Sequence, residues 1–60
     1  MYFEIVRNAS GQFYWHLKAA NHRIIAYSAE TYLLKDSCSY ALSLVRAGAG
    51  TAPVYDRTVA

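Results

Sequence analysis

Cysteine, proline, glycine and acid are what this sixty-residue chain has least of: one, one, three and four respectively. A lone thiol, Cys38, excludes an internal disulfide framework. Cys38, His16 and His22 do not stand at finger-like zinc spacing, so no metal is expected. No apolar run approaches the ~20 residues that a membrane helix needs, so no membrane partner is expected. Residues Met1 to Asn8 carry Glu4 and Arg7 instead of a basic stretch followed by an apolar one, so no signal peptide is expected. Together with the lone thiol this points to a reducing cytoplasm. Without a secretory signal, the sequon Asn8-Ala9-Ser10 is read as a chance match. Four carboxylates leave little material for a catalytic site unless two protomers build it together. No catalytic residue and no cofactor is expected.

What the chain does have is apolar surface. Hydrophobic residues make up 55% and aromatic ones 15%, too apolar for a disordered segment. Yet a domain of about this size buries only roughly 60% of the surface its unfolded chain exposes. Disulfides and metals being excluded, oligomerisation is the device left to stabilise it. The net charge is +2 and the pI about 8.9. The cations Arg7, Lys18, Arg23, Lys35, Arg46 and Arg57 are dispersed, unlike the clustered Lys and Arg of dedicated nucleic-acid domains.

Residues Tyr2 to Arg7 read as a first strand, β-branched and aromatic. Asn8-Ala9-Ser10-Gly11 is a turn signal, with Gly11 suited to a left-handed position. Phe13 to Ala19 read as a second strand, with Phe13, Trp15 and Leu17 facing one way and Tyr14, His16 and Lys18 the other. Asn21-His22 stands where a two-residue hairpin turn belongs, and Arg23 to Ser28 reads as the third strand. That turn sets Ala20 opposite Arg23, Leu17 opposite Ala26 and Trp15 opposite Ser28. One face then collects Phe13, Trp15, Leu17, Ile24 and Ala26; the other collects Tyr14, His16, Lys18, Ile25 and Tyr27.

Lys35 to Ala47 reads as a helix, with Cys38, Ala41, Leu42 and Val45 at i, i+3, i+4, i+7 as its buried stripe. Asp36 and Arg46 complement the helix dipole, and Gly48 suits a left-handed cap. Val54 to Val59 reads as a short edge strand or a tail. The expected fold is α+β in β-β-β-α order. It is a three-stranded antiparallel sheet with one helix on one face, with Val54 to Val59 either a short C-terminal edge strand or a tail; Phe3, Ile5, Phe13, Trp15 and Leu17 face the helix.

The set Phe3-Glu4-Ile5, Gly11-x-Phe13-x-Trp15-x-Leu17-Lys18-Ala19-x-Asn21, Ile25-Ala26-x-Ser28, Tyr32-x-x-Lys35, Val45 and Asp56-x-Thr58 resembles the YegP-like domain of unknown function. The likeness runs from about Tyr2 to Thr58, so the chain is expected to hold one such domain over residues 1–60, with 51–60 as a tail or an exchanged strand. The resemblance implies a small bacterial ββα-type module, found in some relatives as tandem copies, and implies no activity. This chain departs from the pattern at His22, where glycine is usual, at Leu34, where a Ser or Thr cap is usual, and at Tyr40-Ala41, where Asn-Gly is common. A tandem habit implies that a single copy pairs with itself, so a homodimer is the expected partner.

The uncovered sheet face holds the candidate residues Tyr14, His16, Lys18, Ile25 and Tyr27. Such a strip marks an interface or a ligand face. His16 is the one candidate acid or base; its plain reading is a half-exposed sheet histidine, with Glu4 the nearest carboxylate. His22 reads as a solvated turn residue. Cys38 begins the buried stripe and reads as core. The five serines form no nucleophile elbow, and Ala47-Gly48-Ala49-Gly50 lacks the Lys and Ser/Thr of a phosphate loop. The expected function is a non-enzymatic homodimeric module. Single-stranded nucleic acid on Tyr14 and Tyr27, with Lys18 and Arg23 on phosphate, is the alternative. An enzyme with a site between protomers is a third reading.

Overall fold

The computed structural model describes residues 1–58. Strands β1 (Tyr2–Arg7), β2 (Phe13–Lys18) and β3 (Ile24–Tyr27) form one antiparallel sheet in the order β1-β2-β3, followed by helix α1 (Lys35–Gly48). The α+β arrangement is the one expected. Phe3 pairs with Leu17, and Ile5 with Trp15, so these four side chains share the face that α1 covers. Their even-numbered neighbours share the open face, because successive side chains of a strand alternate. Trp15 is buried, with Phe3 edge-on at 5.8 Å between ring centroids. Cys38 is fully buried on the inner face of α1, while Ala41, Leu42 and Val45 are half-buried.

Both hairpins use one loop design. Gly11 N–H donates to Asn8 O, and Asn8 N–H to Gln12 O; His22 N–H donates to Ala19 O, and Ala19 N–H to Arg23 O. Each loop is three residues long, a turn ending in a left-handed residue: Gly11 at φ 79° and His22 at φ 69°. The Asn8 side chain accepts from Ser10 and Gln12 N–H, and Asn21 from Arg23 N–H.

The second loop is one residue longer than the two-residue turn read from Asn21-His22. Ala19, not Ala20, therefore stands opposite Arg23. The offset is absorbed at once. Lys18 pairs with Ile24, but Leu17 pairs with Ala26 and His16 with Tyr27, so Ile25 is an extra residue in a bulge. Ser28 N–H then donates to Trp15 O, the expected pairing. Ile24 is thus placed on the face of Lys18, not with Phe13 and Trp15 as alternation alone implied. Past β3 the chain leaves β2 and returns for one bridge, in which Tyr32 and Phe13 exchange N–H···O bonds of 2.7 Å.

The helix begins without a side-chain cap: Leu34 occupies the N-cap, and Asp36 does not take over that role. Gly48 does not adopt the left-handed conformation expected of it. The helix runs through it, and Ala49, at φ −63°, donates to Val45 O. Residues 52–58 form no strand; Val59, the end of the expected edge strand, lies outside the described residues. No helix among the described residues is long and apolar enough to cross a membrane.

Candidate functional site

The open face is organised around one carboxylate. Glu4 on β1 pairs directly with His16 on β2, and Tyr27 on β3 stands on the other side of the same histidine. His16 Nε2 lies 2.7 Å from Glu4 Oε1, and Lys18 Nζ lies 3.2 Å from the same oxygen. An ionised carboxylate only accepts hydrogen bonds, so the histidine proton sits on Nε2. The hydrogen bonds from His16 and then Lys18 hold the Glu4 carboxyl below its ordinary range. The Tyr14 ring stands edge-on to the imidazole, with centroids 6.1 Å apart.

His16 is only 7% exposed. The half-exposed histidine expected from the sequence is therefore enclosed, on a face that carries no helix. Its neighbours do this: Glu4 and Tyr27 across the sheet, Tyr14 and Lys18 along β2. Tyr14 and Lys18 are half-buried, and Tyr27 is exposed. Ile25 is also exposed, but as the bulge residue it stands outside the alternation that assigned it to this cluster. Tyr14, Lys18 and Tyr27 therefore stand around His16, and of the five candidates only His16 and Lys18 reach Glu4.

Two contacts are not visible in the sequence pattern. The first is Glu4 against His16: alternation makes Glu4 the nearest carboxylate but does not set it directly opposite. Reading Ala9-Ser10-Gly11 as a three-residue loop pairs Asn8 with Gln12, and counting back along both strands then sets Glu4 against His16. The second is the Tyr2–His22 contact. The Tyr2 hydroxyl and His22 Nδ1 are hydrogen-bonded at 2.7 Å, with ring centroids 5.9 Å apart. His22 is thus bonded to β1, not simply solvated. Both histidines tie β1 to the rest of the sheet.

An imidazole oriented by a carboxylate is the geometry of an acid–base pair. On this face it has no serine or thiol beside it: Ser28 lies opposite Trp15 on the helix side, and Cys38 is buried under α1, where burial pushes its thiol pKa up. Among the described residues no group of His, Cys, Asp and Glu is arranged to hold a metal ion. The Lys18 ammonium is engaged by Glu4. Arg23, opposite Ala19, belongs to the helix side, where the Arg7 guanidinium also lies 5.3 Å from the Phe13 ring centroid.

Comparison with known proteins places these residues in a family context. Residues 8–56 match the model of a domain of unknown function, DUF1508, which is the YegP-like family. A UPF0339 protein of Neisseria meningitidis serogroup B is 46% identical over 54 residues, covering 90% of this chain and 95% of the relative. A UPF0339 protein of serogroup A of the same species matches to the same extent. A protein from Haloferax volcanii whose solution structure was determined by NMR superposes with a TM-score of 0.82. It is 29% identical in sequence, and 92% of each chain is covered.

Proposed function

The chain belongs to the DUF1508 family, and from that premise we propose that it works as a homodimeric, non-enzymatic interaction module. One observation carries the proposal: the protomer leaves too much of itself in water. Its accessible surface is 5012 Å². A folded monomer of 6.7 kDa is expected to expose about 3,900 Å². Its radius of gyration is 13.3 Å, against about 10 Å for a compact chain of this length. Trp15 and Cys38 are the only buried hydrophobic residues among those described. A core that small supports the reading that a second copy completes it.

The surface left open is apolar. Ile24, Ile25 and Tyr27 are exposed on β3, an edge strand that carries no charged or proline residue against pairing. Beyond the helix, Val54 is 93% exposed on an irregular segment. The proposal includes that segment as a strand added across the dimer, since edge strands offer unpaired backbone groups. The nucleic-acid alternative draws less support, because Lys18 is engaged by Glu4 and Arg23 belongs to the other face.

The test is absolute mass by light scattering over micromolar to millimolar concentration. A dimer is expected, and deleting residues 51–60 is expected to weaken it. A monomer throughout overturns the reading; a dimer indifferent to the deletion removes the exchanged strand from it.

A further inference from the structure

Strand β1 is an edge, and half of its backbone has no partner. Phe13 and Trp15 of β2 turn their backbone groups away from β1: Phe13 N–H and C=O bond Tyr32, and Trp15 C=O accepts from Ser28 N–H. In an antiparallel pair the residues opposite such positions are also unbonded. Ile5 stands opposite Trp15, and Phe3, next on the same face, stands opposite Leu17. The N–H and C=O groups of Phe3 and Ile5 therefore point out of the sheet edge, and no backbone group among the described residues pairs with them.

The side chains of the same two residues open onto a groove. It has a volume of about 700 Å³, the size of a ligand site, and runs between β1 and α1. Met1, Phe3 and Ile5 line it from the strand side; Lys35, Leu42 and Arg46 line it from the helix. Those helix residues fall within about 40° of one another around the axis, so they form one flank. Phe3, Ile5 and Leu42 are half-buried and make an apolar floor. Lys35 and Arg46 are exposed at the two ends of the flank, separated by about 16 Å of helix rise. No acidic residue lines the groove, and among the described residues neither cation forms an ion pair.

Resting on the interaction-module reading above, we infer that this groove takes an extended acidic peptide of another protein, added to the sheet as a strand beside β1. Each part of the groove selects one feature of that partner. Free backbone N–H and C=O groups select a strand over a lipid or a lone anion. The apolar floor takes every second side chain, since the side chains of a strand alternate. Lys35 and Arg46 select a carboxylate toward each end, and the 16 Å between them is spanned by about five residues of strand. The chain's own exposed segment is a poorer match. Its Asp56 carboxylate already accepts from Thr58, and next to it stands the cation Arg57. That segment suits the uncharged edge of β3.

The test titrates the full chain into the fluorescein-labelled peptide Glu-Val-Ser-Leu-Ser-Glu and follows anisotropy, with amide hydrogen exchange read by NMR in parallel. The same peptide with lysine in both acidic positions is the control. Binding in the micromolar range is expected for the acidic peptide, with the Phe3 and Ile5 amides exchanging about tenfold more slowly or better. Lys35→Glu and Arg46→Glu, both at exposed positions, are each expected to weaken binding several-fold, and together about tenfold or more. No binding at millimolar peptide, equal binding of the lysine peptide, or no slowing at Phe3 and Ile5 overturns the inference. So does a wild-type dimer in which those two amides are already protected without peptide, which gives the groove to a second copy. Light scattering on the same samples separates this from the dimeric reading: a dimer that binds no peptide leaves that reading standing, and a monomer that binds the peptide removes the dimer and keeps the groove.

Discussion

Glu4 stands directly across the sheet from His16, and a single oxygen of its carboxylate serves both that histidine and Lys18. The cluster joins an edge strand to the central one on the face that lacks a helix, so it acts as a clip between β1 and β2. Its pH behaviour follows from the direction of the Glu4 shift. The carboxyl is held below its ordinary range in the folded chain. The stabilisation is therefore fully present above the unfolded value near 4.3 and is lost as pH falls through the lower folded value. Urea midpoints measured from pH 6 to pH 2 are expected to fall across that window, and less steeply for Glu4→Gln. Equal slopes for the two proteins would remove Glu4 from the account.

The left-handed residues of the two hairpin loops make a matched pair for mutation. At Gly11 an added Cβ meets no atom within 4 Å, so the cost of Gly11→Ala is conformational alone, about 1 kcal/mol. At His22 the backbone strain is already present, offset by the hydrogen bond to Tyr2. His22→Gly is expected to be near neutral, since relief of strain and loss of a bond of about 1 kcal/mol cancel. His22→Ala keeps the strain and loses the bond, and should cost about 1 kcal/mol more than glycine. Chemical denaturation of the three variants checks the order.

Cys38 is expected to be silent until the fold opens. It is fully buried, and burial raises its thiol pKa, which disfavours the reactive thiolate. Alkylation at pH 8 should be slow in buffer and reach the rate of a free thiol in urea. Rapid labelling of the native protein would contradict its placement under the helix. Cys38→Ser buries a hydroxyl in an apolar site and should cost about 1–3 kcal/mol.

Trp15 carries a disproportionate share of the core. Truncating a buried tryptophan to alanine costs about 3–5 kcal/mol. A chain of sixty residues is expected to have only about 3–9 kcal/mol of stability in all. Trp15→Ala is therefore expected to be largely unfolded by circular dichroism at 37 °C. A cooperative native-like melt would show that the core lies elsewhere.

The parts of this fold that sequence displays are those governed by period. β1 runs from Tyr2 to Arg7, as its β-branched and aromatic residues predict, and Cys38, the first residue of the expected helical stripe, is fully buried. What alternation does not display is local backbone choice. Asn21-His22 has the composition of a two-residue turn, yet Ala20 joins the loop, because only His22 takes a positive φ. Gly48 could have terminated the helix in a left-handed conformation, but the following turn stays right-handed, and Thr51 N–H donates to Gly48 O. For the candidate site, Tyr14, His16 and Lys18 were legible from the pattern of β2 alone. Glu4 depended on the register between strands, which the geometry of the first loop decides.

The bulge at Ile25 and the three-residue loop before it amount to a parity correction. The loop takes Ala20 from the outgoing strand and the bulge adds Ile25 to the returning one; the two offsets cancel, and odd again pairs with even, Leu17 with Ala26 and His16 with Tyr27. Either alone would present Ala26 and Ser28 to the open face and turn Tyr27 toward the helix, away from His16. Deleting Ile25 is therefore predicted to straighten β3 and to leave every later residue on its present face, because Leu17 opposite Ala26 then follows directly on Lys18 opposite Ile24.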